Sequence, residues 1–299
     1  MSRLFDRNYL LEITTTSGEV LTYAPPMETR FLVDNYPQHT VATAGITVYG
    51  ISSRARELIQ LRDNARHNYG TLTLKAGYGE NLGLIFSGKI SNVQVAKDGV
   101  STCIKLYCLA TTVDSDATSY KVWGENTPYQ DVIRDIASEL GAPVEFVGDF
   151  SHLPLLIRGR NAGGKSCRVL LDELKNNFDF WWFHTPTRTT ITRNGASRKG
   201  GEYDISALNG MEGVPRWYAN AMEVDVRLNY QLQPGDAVNV TSRFWTLNFS
   251  LAYFTDLQDL AGYQHRTGKF VILRTIHEGS LWGDSWTTTA ECLWQGVYQ

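Results

Sequence analysis

Met222, Val224, Val226 and Leu228 alternate with Glu223, Asp225 and Arg227. A period of two places the apolar side chains on one face of an extended chain and the charged ones on the other, so this stretch predicts a half-buried strand. Much of the chain reads the same way. Leu10–Thr14 opens one strand, and Ala44–Tyr49 is another, enriched in β-branched and aromatic residues. Thr71–Ala76 follows, then a Gly-Tyr-Gly turn at 77–79 and a strand over Leu84–Ile90. Val93–Ala96 and Thr102–Ala110 flank Lys97-Asp98-Gly99. Asp-Gly between two such runs predicts a hairpin. Pro234-Gly235-Asp236 turns into Val238 and Val240, and Phe270–His277 with Trp286–Trp294 make a last hairpin. The stretch 245–268 shows no regular period. The predicted class is mainly β, with two small similar antiparallel β-barrels flanking small α/β lobes.

Helices are few. Ser52 or Ser53 can cap a short one through Arg56, Leu58 and Ile59, ending near Asn68-Tyr69-Gly70. Thr127-Pro128-Tyr129-Gln130 is a helix start, with Thr at the cap and Pro in the first turn. Val132, Ile133, Ile136, Ala137 and Leu140 form its apolar stripe, and Gly141 ends it. Short strands follow at Val144–Val147 and Leu153–Ile157. A second helix, capped by Ser166, carries Val169, Leu170, Leu171, Leu174 and Phe178, and a hairpin around Pro186 comes next. The predicted division is 1–112 for a first β-barrel, 113–203 for an α/β insertion and 204–299 for a second β-barrel.

Gly159–Ser166, GRNAGGKS, matches G-x-x-x-x-G-K-[ST], the loop whose backbone amides cradle nucleotide phosphates. A predicted strand precedes it and a helix follows. That motif belongs to parallel α/β folds with crossover helices, whereas everything after residue 204 reads as antiparallel strands. The next apolar strand, Phe180–Phe183, ends in His184-Thr185-Pro186 and not in a magnesium-binding acid. The match reads as a glycine turn into a helix.

Other sites are no better supported. Cys103, Cys108, Cys167 and Cys292 form no C-x-x-C pair, and 103 and 108, five apart in one strand, point to opposite faces. The six histidines have no metal-ligand spacing. Asp114, Asp116, Asp172 and Glu173 could supply a glycosidase pair, but their spacing alone does not make one. Trp181, Trp182, Trp286 and Trp294 lie in strand runs, which suits a core or an interface better than a sugar platform. No catalytic, cofactor-binding or metal residue is assigned, and no cofactor is expected. The formal charge of −3 does not mark a nucleic-acid binder. No apolar run reaches the roughly 18 residues of a membrane-spanning segment. The start, MSRLFDRNYLLEI, has no signal-peptide apolar core, so export by that route is not expected.

The stretch 85–110 and the stretch 268–294 each read as strand, glycine-containing turn and closing strand ending in Cys-Leu: Cys108-Leu109 and Cys292-Leu293. This suggests two versions of one small β unit. The order of Ile46–Ser52, a short helix, Leu72–Gly79 and Ile85–Ile90 resembles the first barrel of the baseplate hub proteins of contractile phage tails, the family that includes late control protein D. Pro128–Gly141 and Ser166–Phe180 resemble its α/β lobes, and Ile276–Gly279 with Trp286–Thr288 its last hairpin. The resemblance implies a virion structural protein without enzymatic activity, assembled in the host cytoplasm. It implies a homotrimer whose duplicated barrels form a pseudo-sixfold ring between a hexameric tail tube protein and a trimeric central spike protein. Other baseplate proteins and the tape measure protein would be neighbours, and DNA would pass the lumen without specific binding. The alternatives weighed are a tail-associated hydrolase, a P-loop-like NTPase and a carbohydrate-binding tail module.

Overall fold

The computed structural model describes residues 6–35, 42–63, 69–110, 117–185, 188–198, 200–218, 221–242, 246–247 and 268–294. The unassigned stretch 245–268 falls almost wholly outside them. The first strands are β1 (Arg7–Thr14), β2 (Val20–Tyr23), β3 (Thr29–Asn35) and β4 (Thr43–Tyr49), followed by α1 (Ser53–Gln60). Then come β5 (Thr71–Tyr78), β6 (Asn81–Asp98) and β7 (Ser101–Leu109). The middle holds β8 (Thr118–Ser119), β9 (Val122–Trp123), α2 (Tyr129–Ser138), β10 (Val144–Val147), β11 (Arg160–Asn161) and β12 (Lys165–Ser166). It continues with α3 (Cys167–Phe178), β13 (Phe180–Thr185) and β14 (Arg188–Arg193). The last part holds β15 (Glu202–Ser206), β16 (Met211–Tyr218), β17 (Ala221–Arg227), β18 (Ala237–Thr241), β19 (Thr246–Leu247), β20 (Gly268–Ser280) and β21 (Trp286–Trp294). The fold is mainly β, as expected.

Alternation does what the side chains dictate. Tyr9, Leu11 and Ile13 of β1, Leu72, Leu74 and Ala76 of β5, and Met222, Val224 and Val226 of β17 are buried, while the residues between them are not. Three buried clusters result. The first joins β1, β3–β7 and α1, and takes in Leu228, Leu281 and Trp286 from near the C-terminus. The second gathers Ile133, Ile136, Leu170, Leu174, Trp182 and Ile191 between α2, α3 and the sheet β10-β14-β13. The third lies among β15, β17, β18, β20 and β21.

Several local expectations are corrected. The strands expected at 84–90 and 93–96 are one strand of 18 residues, β6. It pairs with β5 along its first half and with β7 along its second. The register jumps from Ile90↔Cys108 to Asn92↔Tyr107, leaving Ser91 extra. A bulge of this kind bends a strand, so one strand can turn a barrel corner. The turn expected at 77–79 starts later, because Gly77 and Tyr78 still pair with Leu82 and Asn81. Gly79, at φ +55°, makes the turn. Ser52 caps α1 by accepting from Ala55 N at 3.2 Å, but the helix ends at Gln60.

Pro128, not Thr127, is the cap of α2, and the Thr127 hydroxyl instead donates to the Gly124 carbonyl. Ser166 stands at the cap of α3 without a side-chain bond to the helix. No strand forms over 153–157, where Leu155 makes only an isolated bridge to Pro128. The part after 204 is not wholly antiparallel: β18 runs parallel to β15, and β19 parallel to β16.

A half-buried ionic cluster around the buried Asp236 ties the α/β lobe to the last part. Arg198 donates to Asp236 at 2.8 Å and approaches Glu145 at 3.4 Å. Arg188 reaches Gln233 and lies 3.7 Å from Glu145. Burial raises the Asp236 carboxyl, although Arg198 draws it back. An added Cβ at Gly201 would lie 2.2 Å from Asp236 Oδ1, so glycine there lets the cluster close.

Candidate assembly surface

The strands of the first and last parts do not form two separate sheets. Among the described residues, β16, β17, β21, β20, β3, β4, β7 and β6 are hydrogen-bonded in that order as one run. The joint in its middle is β20 against β3, from Thr275↔Asn35 to Ser280↔Arg30. Each side of that joint holds four strands.

The two sides repeat each other in register. Ile90 faces Cys108 in one hairpin, and Ile272 faces Cys292 in the other. In both, the next residue is extra, Ser91 or Leu273, and pairing resumes at Asn92↔Tyr107 and Arg274↔Glu291. The third strand enters identically: Ala44 faces Cys108 and Met222 faces Cys292. The fourth does so too, with Asp34↔Thr43 matching Tyr218↔Ala221 and Thr29↔Val48 matching Met211↔Val226. On the far side, β5 meets β6 at Thr71↔Lys89 and β18 meets β20 at Ala237↔Val271. The Cys-Leu likeness read from the sequence therefore marks equivalent places in space. β1 and β15 also occupy equivalent positions but run in opposite senses, antiparallel to β5 and parallel to β18 respectively.

The joint is held by packing and charge together. Arg274 grips Asp34 with two hydrogen bonds, 2.8 Å from Nε and 2.6 Å from an Nη. Such a bidentate pair fixes direction as well as distance. Phe31 of β3 lies on Gly279, where an added Cβ would stand 2.3 Å from the ring, and stacks edge-on against Trp286 at 5.4 Å. Trp286 donates through Nε1 to the Gly77 carbonyl at 3.3 Å. Tyr230 donates to Asn81 at 2.8 Å and covers Gly83. On the polar face of β16 and β17, Arg216 binds Asp225 at 2.6 and 3.1 Å and Glu223 at 3.1 Å. Burial alone would raise the Asp225 carboxyl, but hydrogen bonds from Arg216 and Thr289 hold it below its ordinary value.

The residues singled out as possible catalytic groups are spent on structure. In GRNAGGKS the amides of Ala162, Gly163, Gly164 and Lys165 are already bonded, to the Lys121 carbonyl, Asn161 Oδ1, the Ser119 carbonyl and the Ala162 carbonyl, and that of Cys167 just beyond goes to the Ala117 carbonyl. The loop is a tight turn stitched by β12 to β8 and by β11 to β9. Lys165 and Arg160 both pair with Glu173, at 2.9 and 3.2 Å. A phosphate cradle needs those amides and that lysine free. Asp172 accepts from Trp182 Nε1 at 3.0 Å; Asp114 and Asp116 lie outside the described residues.

The four cysteines are free and buried. Cys103 and Cys108 do face opposite ways, yet both are covered. Burial pushes the Cys108 thiol up to about 12. Among the described residues no three His, Cys, Asp or Glu side chains are grouped to hold a metal ion, and no helix is long and apolar enough to cross a membrane. Trp182 and Trp286 are buried and Trp181 is half-buried. What the sequence did not reveal is the β3–β20 joint. The one-residue bulges in β6 and β20 likewise have no residue signature.

No family model matches the chain, and no curated protein does. Solved structures do. The tail protein from Neisseria meningitidis MC58 is 10% identical, with a TM-score of 0.58 over 97% of this chain and 98% of its own. The 43 kDa tail protein of prophage MuSo2 from Shewanella oneidensis is 11% identical, with a TM-score of 0.59 over 97% and 99%. The E. coli c3393 protein, a type VI secretion component described as similar to the T4 tail proteins gp27 and gp5, is 10% identical, with a TM-score of 0.55 over 90% of this chain and 74% of its own. At these identities the likeness establishes a shared fold.

Proposed function

We propose that this chain is a structural hub of a phage tail, built as a homotrimer without catalytic function. The observation that carries the reading is the in-register repeat of four strands on either side of the β3–β20 joint. The three parts 1–112, 113–203 and 204–299 then have distinct tasks: two equivalent β units in the wall, with an α/β lobe inserted between them. One chain presents the same unit twice, so three chains present six. A hexameric tube protein can dock on one side of such a ring and a trimeric spike protein on the other, with other baseplate proteins around it. DNA passes through the lumen without specific contacts. Two tail proteins that share the fold over nearly the whole of both chains support this assignment.

The test is native mass spectrometry of the purified chain across a concentration series, and of tail particles. Three copies per assembly are expected. A chain that stays monomeric at every concentration and degrades peptidoglycan in a zymogram overturns the reading.

A further inference from the structure

The eight-strand run has two ends, and the internal repeat states what belongs on each. One end is the second half of β6. Asn92–Asp98 pairs with β7 on one edge, and no strand lies on the other edge among the described residues. Its counterpart in the second repeat is Arg274–Ser280 of β20, whose corresponding edge is occupied by β3. The consequence is visible in burial: Val95 is 43% exposed, whereas His277 at the matching place is 2% exposed. The strand that covers β20 is β3, and the repeat-equivalent of β3 is β16, the opposite end of the run.

We propose that β16 of a second copy of this chain adds antiparallel to the open edge of β6, reproducing between chains the β3–β20 joint that exists within one. This rests on the trimer reading and adds which edges meet and in what register. Transferring the pairs Glu278↔Leu32 and Ser280↔Arg30 through the two alignments puts Ala96 opposite Arg216 of the neighbouring copy and Asp98 opposite its Glu212. Asp98 and Glu212 are like charges, each with a cation of its own chain beside it, Arg30 at 3.4 Å and Arg227 at 3.7 Å, and the bulk at the joint differs from that at the internal one. At the internal joint Phe31 needs Gly279 beneath it. At the matching place β6 carries Lys97, and β16 carries a bulge containing Gly213, at φ +68°, in place of the aromatic ring.

The edge of β16 is able to take a strand, because β19 already pairs there at Arg216 and Trp217. In the assembly β6 of the neighbour replaces that two-residue contact. The contact joins two different edges, so it is heterologous: it closes into a ring if the rotation per chain allows and grows as a filament if not.

The test uses the full chain with paired substitutions Ala96→Cys and Arg216→Cys, oxidised after the solution mass is measured. A second pair, Asp98→Cys with Glu212→Cys, covers the case in which loss of Arg216 impairs folding. The four native thiols are buried and do not compete. Directly opposed residues of an antiparallel pair have Cα atoms about 4.5–5.5 Å apart, inside the range of about 4.4–6.8 Å that a disulfide spans. Within one chain the two edges lie seven strand spacings of about 4.8 Å apart along the sheet, so the bond forms only between copies.

A denaturing gel should show most of the chain moving from one-chain to multi-chain bands ending at three. Lys97→Cys with Arg216→Cys, one residue out of register, should leave it as single chains. Three copies by mass with neither in-register pair linking overturns the edge assignment and leaves the trimer standing. Efficient linking into open-ended ladders or another closed number upholds the edge and overturns the trimer. A chain that neither associates nor links overturns both.

Discussion

His277 sits in the joint between the two repeats, its Nδ1 2.8 Å from the hydroxyl of Thr288 on the facing strand. Burial without a countercharge lowers its pKa to about 4. An unfolded histidine titrates near 6.5. Between about pH 6.5 and 4 the unfolded chain takes up a proton that the folded chain refuses, so stability falls as pH falls. The slope is about 1.4 kcal/mol per pH unit, up to roughly 3 kcal/mol in all. Urea midpoints measured from pH 7 to 5 should drop more steeply in the native chain than in His277→Gln, which keeps a polar partner for Thr288. Equal slopes would refute a buried neutral imidazole. His184 has the same arrangement, bonded to Thr189 at 2.8 Å with its pKa lowered by burial, and supplies a slope common to both proteins. Neither histidine carries a mark in the sequence, since cross-strand pairing with a threonine depends on register.

At the scale of elements, GRNAGGKS shows how a motif can be satisfied and yet be mute. Its glycines at 163 and 164 have φ of +64° and +74°, as a phosphate loop would allow, but here they make a turn between two short ladders. Because the amides bond inward and Glu173 neutralises Lys165, magnesium ATP or GTP should leave the melting temperature unchanged, and Lys165→Ala should not alter that response. A nucleotide-dependent shift lost in Lys165→Ala would overturn this. The helices, by contrast, were legible. Val132, Ile133, Ile136 and Ala137 are buried along α2, as their spacing requires. The start of α2 was not, because Thr127 and Pro128 are both plausible caps and tertiary bonds decide between them, whereas α3 does begin after Ser166.

At the scale of the molecule, the proposed joint between copies would make stability and assembly one quantity. An open strand edge is a liability that folded proteins ordinarily cover. Here the cover proposed is the next copy, so folding draws on association and the melting temperature should rise with concentration. Differential scanning calorimetry over a hundredfold range of chain concentration tests this. A constant melting temperature would indicate that the edge is dispensable. The duplicated run also explains why the first core contains Leu228, Leu281 and Trp286: the two repeats share one wall and stabilise each other across it.

Period-two alternation, an Asp-Gly hairpin and scarce helical stripes were enough to establish from residues alone that this chain is mainly β with an α/β insertion. Those signals are local, and local side-chain chemistry writes them directly. The echo of Cys108-Leu109 in Cys292-Leu293 hinted at duplication but could not show it. That β3 crosses to β20, that both repeats bulge one residue after an Ile–Cys pair, and that no strand among the described residues lies on the outer edge of Asn92–Asp98 were decided only in three dimensions. Register between strands some 240 residues apart follows from which faces can be buried together, and no short stretch of sequence encodes that choice.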